Sequence, residues 1–509
     1  MAMGYARVRS IGLVGLEGHA VTVEAYVAPG LPSVTLSGLP DASLNEARDR
    51  VRAAVVNAGQ EWPNRRITVN LLPADLPKRG PGFDLAIAVV ILAAAGRFTL
   101  RALGGAALIG ELGLDGQVRP VRGVLPMAAA AARAEIRRLV VPIDNAAEAR
   151  LVPHVEVRGV ASLAQLIEFL VAGVTLPKPA TAADAEPEDA GPDLSDVVGQ
   201  ERGRFALEIA AAGRHHLALL GPPGAGKTLL AQRLPSILPP LSDQAALEVT
   251  ALHSIAGLLP AAPRLIRRPP FQAPHHTATA AALVGGGSNG VVRPGAISLA
   301  HHGVLFIDEA PEMKPHVLNS LRQPLEEGFV IIARAQGSTK FPARVQLVLA
   351  ANPCPCGVGD QVACTCPPVV RRRYLGRLAG PLLDRIDLQV TLAPVTPAAL
   401  AGPIDPPESS ASVLQRVIAA RAAAAARWSG QAFEVNAEAP GSLLRSPPFR
   451  LPGRVTAALT RDLERGTLSA RGFDRVLRVA WTIADLAGRT VPNKSDVDEA
   501  VQLRLGGVP

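Results

Sequence analysis

The sequence predicts an α/β protein, and three stretches predict it, each an apolar run that stops at residues with chemistry to offer. Leu217 to Leu220 runs into Gly221-Pro222-Pro223-Gly224-Ala225-Gly226-Lys227-Thr228, Gly303 to Ile307 stops at Asp308-Glu309, and Val345 to Ala351 stops at Asn352. Short apolar runs bounded in this way are expected of strands buried in a parallel sheet, which delivers the residues following its strands to one common edge.

The first stretch fits the pattern G-x-x-x-x-G-K-[ST], and the helix-forming run Leu229 to Leu234 follows it, so the strand, loop and helix that the pattern requires are all present. Glycines at 221, 224 and 226 let the backbone wrap closely around phosphates. Lys227 is expected to reach the β- and γ-phosphates of ATP, and the Thr228 hydroxyl to ligate Mg²⁺. At the end of the second strand, Asp308 is expected to hold the same Mg²⁺ through water and Glu309 to polarise the attacking water as general base.

Composition bounds what surrounds this site. A chain of 509 residues exceeds what one core supports, and 48% apolar residues supply ample material for several. Aromatics make up only 3%, so base-stacking platforms are not an obvious resource. A net charge of +8 favours a polyanionic partner. The longest apolar run, Leu85 to Gly96, is too short to span a bilayer, and no signal peptide is apparent, so a cytoplasmic protein without a membrane partner is expected. In a reducing compartment the cysteines of Cys354-Pro355-Cys356 and Cys364-Thr365-Cys366 read better as a tetrahedral Zn²⁺ site than as disulfides, although C-x-C is tighter than the commoner spacing.

Taken in order, residues 7–30 alternate apolar and polar as paired strands do, and Ala42 to Ala58 carries the apolar stripe Leu44, Ala47, Val51, Ala54, Val55 and Ala58 of an amphipathic helix. A strand, Ile67 to Leu72, and a turn at Lys78 to Gly82 lead to the apolar helix that starts at Asp84. Here Pro77-Lys78-Arg79-Gly80-Pro81-Gly82-Phe83-Asp84-Leu85 and Gly110-Glu111-Leu112-Gly113-Leu114-Asp115-Gly116-Gln117-Val118-Arg119-Pro120-Val121 resemble the Lon-protease C-terminal fold, a ribosomal S5 domain 2-like α+β fold. That family works with a Ser–Lys dyad. Gly82 stands in the serine's place and no lysine lies around Leu125-Pro126-Met127, so the resemblance implies a protease-like domain without protease activity. The Pro-, Ala- and acid-rich stretch 173–195 reads as a linker, and a new domain starts near Leu194.

The second half resembles AAA+ ATPases. In that superfamily an asparagine at the end of the third stretch orients the lytic water, which makes Asn352 the sensor 1 candidate. Gly380-Pro381-Leu382-Leu383-Asp384-Arg385-Ile386-Asp387-Leu388 is similar to a motif of the minichromosome maintenance helicases whose arginine reaches the γ-phosphate of the neighbouring subunit. Arg385 is therefore the expected finger, with Arg377 as alternative and a surface salt bridge as the plain reading. Ser469 to Arg478 resembles the lid motif that supplies sensor 2, here Arg471 with Arg475 as runner-up. Ile331 to Lys340 reads as a hairpin and resembles the pre-sensor hairpin of the same helicases, which would bring Arg334 and Lys340 onto DNA phosphates. Phe271-Gln272-Ala273-Pro274-His275-His276-Thr277-Ala278, Arg293 to Ser298 and Asn352 to Gly357 closely resemble the ComM/YifB family of magnesium-chelatase-like AAA+ proteins, except at Ala296 and His302. The His275-His276 pair is expected to serve structural hydrogen bonding.

The organisation expected is a Lon-protease-like domain at 1–172, a linker at 173–195, a P-loop AAA+ core at 196–396 and a C-terminal helical lid at 397–509. By resemblance, the function expected is an ATP-dependent ring, a hexamer, that moves along single-stranded or branched DNA as a helicase or branch-migration motor when incoming DNA is recombined in natural transformation. A magnesium-chelatase-type remodeller of a partner protein is the alternative, and a protein-binding N-terminal module switched by the ATPase is a third reading.

Overall fold

The computed structural model describes residues 4–38, 42–78, 80–177, 191–287, 292–334, 337–356, 364–378, 382–394 and 407–506. Most of the expected linker, 178–190, and part of the stretch that opens the expected lid, 395–406, lie outside them.

The alternating N-terminal residues form a long antiparallel hairpin, Gly4–Val14 against Glu17–Ala28. It turns at Gly15, whose φ of 63° suits glycine, and a Cβ there would also lie 2.5 Å from Cγ2 of Thr339 in the second half of the chain. The hairpin is the middle of a seven-stranded mixed sheet ordered Ser33–Ser37, Arg66–Leu72, Glu17–Ala28, Gly4–Val14, Ala107–Leu108, Arg138–Pro142, Glu156–Val160. The helix Ala42–Asn57 buries Ala47, Val51, Ala54 and Val55, as its stripe requires. The helix Asp84–Ala94, apolar after its first residue, is buried from Asp84 to Leu92. Its first residue is charged but compensated: Arg50 grips the Asp84 carboxylate at 2.9 and 3.2 Å, and the Leu112 N–H donates to it. Burial still pushes the Asp84 carboxyl up to about 6.

The three stretches that predicted α/β are parallel neighbours. The second sheet runs Phe271–Gln272, Val304–Ile307, Gln346–Ala351, Leu217–Leu220, Leu388–Thr391, with every pairing parallel. Leu217–Leu220, Val304–Ile307 and Gln346–Ala351 are buried at every position, because helices cover both faces. Register pairs Leu220 with Ala351 and with Thr391, so Gly221, Asn352 and Asp308 all leave the sheet at its C-terminal edge. On one face the core is continuous with the helices Ser410–Arg427, Gly453–Glu464, Ala470–Leu486 and Lys494–Leu505, where Trp428, Phe449 and Trp481 meet edge to face.

The two halves are joined through helix Asp243–Ala256, which lies against helix Val124–Arg133; Ala251 is packed in one cluster with Ile11, Val124, Leu125 and Met127. Buried Glu148 ties the junction, accepting from the Leu125 N–H at 2.8 Å, from Asn145 Nδ2 at 3.2 Å and from Ser254 Oγ. No helix among the described residues is long and apolar enough to cross a membrane.

Two histidines near the second sheet are held neutral. His216 Nδ1 accepts the Leu347 N–H and His301 Nδ1 accepts the Arg344 N–H, both at 3.0 Å, and burial, opposed by Asp387 and Glu248 respectively, pushes each pKa down to about 4. Free imidazole titrates near about 6.5, so between that value and 4 the unfolded chain binds protons the folded chain refuses. The stability these groups contribute is complete above pH ~6.5 and is lost on acidification, by up to about 1.4 kcal/mol per pH unit per histidine. Asp84, pushed up to about 6, works in the opposite direction over this range, but two histidines outweigh one carboxyl, so thermal melts at pH 7 and pH 5 should show a net fall in Tm; a rise would contradict the neutral assignment.

Candidate functional site

The loop after Leu217–Leu220 closes on itself before any ligand is considered. Gly221 has no room for a side chain, since a Cβ would lie 2.9 Å from the Leu392 carbonyl oxygen, whereas Cβ atoms built on Gly224 and Gly226, at φ 76° and 86°, would meet open space. The backbone there is a cradle open to a ligand, formed in a conformation that favours glycine. Gln200 braces it from beneath, donating to the Ala225 carbonyl at 3.0 Å and to that of Ala393 at 2.6 Å.

Lys227 and Thr228 open the helix Lys227–Arg233. The Lys227 ammonium donates to Gly221 O at 2.7 Å, Pro222 O at 2.9 Å and Asn352 Oδ1 at 2.9 Å, which occupies all three of its hydrogens. Burial pushes its pKa down, and Asp308 and Glu309 oppose that shift. The Thr228 hydroxyl donates to Asp308 Oδ2 at 2.8 Å, so two hard oxygen donors face one spot, the chemistry Mg²⁺ demands. Glu309 has a φ of 47°, rare for a side-chain-bearing residue, and its N–H donates to Asp308 Oδ1 at 2.9 Å. Its carboxylate lies 3.2 Å from His276 Nδ1. Thus the sequence-expected Lys227, Thr228, Asp308, Glu309 and Asn352 converge, together with Gln200 and His276. The two histidines read as structural include one that contacts the expected base.

The arginines lie elsewhere. Arg385 ends the short turn Leu383–Arg385 ahead of Leu388–Thr391, at the N-terminal edge of the sheet, where it pairs with Glu326. A strand of four residues separates the two edges by on the order of 13 Å, so Arg385 does not reach its own chain's phosphate loop. It borders a cavity of about 380 Å³ with Asp387, Arg475 and Arg478. Arg475 pairs with Asp387 in this cavity, and Arg471, one turn earlier, is exposed with no hydrogen bond or ion pair to another described residue. Arg377 donates to the Pro311 carbonyl at 3.1 Å, beside the turn that follows Glu309.

The expected hairpin is present as Phe329–Arg334 paired with Gly337–Pro342. Arg334 donates to the Gly287 carbonyl at 2.7 Å, beside a second small hairpin, Gly285–Gly286 with Arg293–Pro294. The Lys340 ammonium sits 3.7 Å from the centre of the Phe329 ring and lines an 800 Å³ groove between the halves, shared with Leu16, His19 and Arg133. Beyond Asn352, Cys354, Cys356, Cys364 and Cys366 gather with every Sγ within 4.8 Å of the others. Glu248, His301 and His302 cluster as tightly, but His301 Nδ1 already accepts a backbone N–H, so its Nε2 carries the proton and is closed to a metal.

Three family descriptions match the chain: "Magnesium chelatase, subunit ChlI" over residues 193–400, "Subunit ChlI of Mg-chelatase" over 23–145 and "Magnesium chelatase, subunit ChlI C-terminal" over 407–504. Full-length similarity extends to an uncharacterized protein of Mycobacterium tuberculosis, 52% identical over 100% of this chain and 99% of that one. YifB of Salmonella typhimurium is 41% identical over 99% and 97%, and competence protein ComM of Haemophilus influenzae is 40% identical over 99% and 98%. The chain belongs to the ComM/YifB family of magnesium-chelatase-like proteins. A shorter match, 30% identical over 36% of this chain and 35% of that protein, is to Lon protease 2 of Bacillus subtilis. Members of the ComM/YifB family thus share this chain's length nearly end to end, and the ChlI descriptions cover the phosphate loop, the acidic pair and the helices after them.

Proposed function

We propose that this chain is an ATPase that assembles as a ring, a hexamer, and drives movement along single-stranded or branched DNA. The observation that carries the reading is the division of the site between two sheet edges. Lys227, Thr228, Asp308, Glu309 and Asn352 meet at one edge, while Arg385 lies at the other, paired with Glu326. A second copy offering its Arg385 edge to the phosphate loop would complete the site.

In this reading Gly221 to Gly226 cradle the ATP phosphates and Lys227 exchanges its carbonyl partners for phosphate oxygens. Thr228 and Asp308 hold Mg²⁺, which when bound neutralises charge on the transferring phosphoryl group. Glu309 takes the proton of the attacking water once it leaves His276, Asn352 orients that water, and Arg385 stabilises the transition state from the neighbouring subunit. Arg475, paired with the buried Asp387, belongs with Arg385 on the donating edge, and Arg471 extends that edge into solvent. Zn²⁺ on the four cysteines is the second metal ion of this reading. The N-terminal half serves assembly or binding.

DNA as the partner rests on the charge of +8 and on Arg334 and Lys340 in the hairpin Phe329–Arg334 with Gly337–Pro342. The name of the Haemophilus relative supports a role in competence, with incoming DNA recombined during natural transformation. The three ChlI matches favour a second reading, a chelatase-type motor that remodels a partner protein.

ATP hydrolysis should rise severalfold with single-stranded or branched DNA, and the wild type but not Glu309→Gln should unwind or migrate three- and four-way junctions. Arg334→Ala with Lys340→Ala should reduce the salt slope of DNA binding by about two, if both neutralise phosphates. Hydrolysis indifferent to DNA would transfer the weight to the chelatase-type reading.

A further inference from the structure

The four cysteines form the one cluster of soft ligands among the described residues, on the loop that leaves Asn352. Cys354 and Cys356, Cys354 and Cys364, and Cys356 and Cys364 have Sγ atoms 2.7, 3.3 and 3.5 Å apart. A zinc ion with Zn–S bonds of about 2.3 Å holds four thiolates about 3.8 Å from one another, within the 4.8 Å that encloses all six pairs here. An iron–sulfur cluster places its own iron and sulfide atoms between the thiolates and so spreads them farther. Four thiolates also suit a soft or borderline ion over Mg²⁺, which takes oxygen. Cys354 is buried while Cys356 is exposed, so an ion has a path in and a chelator a path out.

The place of the cluster in the chain gives an ion leverage. Cys354 is two residues beyond Asn352, whose Oδ1 holds Lys227. Cys366 is two residues ahead of helix Pro368–Gly376, and Arg377, at its end, donates to the Pro311 carbonyl in the turn Ala310–Glu312 directly after Glu309. Tyr374 of the same helix is buried. One tetrahedral centre would therefore clamp together the segment that carries Asn352 and the helix that braces the Glu309 turn.

We propose that Cys354, Cys356, Cys364 and Cys366 bind a single Zn²⁺ as thiolates, releasing their protons to solvent, and that this ion positions Asn352 and the Glu309 turn for ATP turnover. Zinc binding stands on the cysteine geometry alone; the positioning role rests on the ATPase reading above. The cysteines act through Asn352 and Arg377.

Metal analysis of the purified full-length protein should find one Zn²⁺ per chain, released on titration with an organomercurial and absent from Cys364→Ser with Cys366→Ser. That double variant should bind a fluorescent ATP analogue within about threefold of wild type, because the phosphate loop is untouched, while kcat falls about 10- to 100-fold. Cys366→His, which retains a Cys₃His set, should recover zinc and most of kcat. Should the double variant fail to fold, chelation of the wild type followed by Zn²⁺ addition reads the same loss and recovery. Protein that neither contains zinc nor takes it up, or that holds iron at these cysteines, overturns the zinc site. A zinc-free protein with unchanged kcat overturns the positioning role. Zinc present in a protein without ATPase activity overturns the ATPase reading and leaves the site standing.

Discussion

Lys227→Ala loses ATP binding and hydrolysis together. Lys227 is 8% exposed and its ammonium spends its hydrogens on Gly221 O, Pro222 O and Asn352 Oδ1, so it is fixed before nucleotide arrives. Alanine removes the positive charge and empties a buried volume in the first turn of the helix. It also frees Asn352 from its contact with the ammonium, so one substitution disturbs the cradle and the residue proposed to orient the water at once. Removal of one preorganised charged donor from a shielded site costs roughly 10²- to 10³-fold in rate, and here the affinity term adds to it. Titration with a fluorescent ATP analogue and a steady-state phosphate-release assay check the two losses separately. Affinity within about threefold of wild type would remove Lys227 from the phosphates.

Arg385→Ala should do the opposite with binding: ATP affinity is retained and hydrolysis is abolished, by about 10³-fold or more if the arginine acts as a finger in trans. The basis is position. Arg385 precedes Leu388, which pairs with Leu217 at the start of the phosphate-loop strand, whereas the loop follows Leu220 at its end. In the single chain its guanidinium is engaged by Glu326, so in the proposed ring a neighbour's phosphate would replace a carboxylate, and a planar fork matches both. The decisive measurement mixes two inactive proteins. Lys227→Ala subunits would lend Arg385 to the intact phosphate loops of Arg385→Ala subunits, so mixed rings should recover activity that neither shows alone. A mixture as inactive as its parts would place Arg385 outside the shared site.

The part of the site that could be read from the sequence is the part encoded locally. Gly221 to Thr228 and Asp308-Glu309 are contiguous runs at strand ends, and their fixed spacing carries the chemistry. Asn352 needed only the recognition of one more strand. His276 gave no such signal: it meets Glu309 across 33 positions, after a strand of two residues, Phe271–Gln272, too short for a periodic pattern. Gln200 depends on a left-handed backbone, φ 56°, which aims its amide at Ala225 and which no composition announces. The hairpin at Phe329 to Pro342 was legible as two arms about a turn, but not the placement of Lys340 on Phe329, because the groove it lines is built by Leu16 and His19, more than 300 residues earlier. The N-terminal sheet was legible strand by strand; its order was not, since Ala107–Leu108 contributes two residues to the ladder.

The junction between the halves also bears on how such a protein could change. At Gly82, where the Lon-type resemblance puts a nucleophile, a Cβ would meet open space, so serine could return by a single substitution at little steric cost. Leu125, where the lysine would be sought, is fully buried, its N–H held by Glu148 and its neighbours packed on Ala251. An ammonium there would be stranded in an apolar seam. A Ser–Lys dyad is thus sterically open at one position and barred at the other, and the bar is the same seam that holds the second half of the chain.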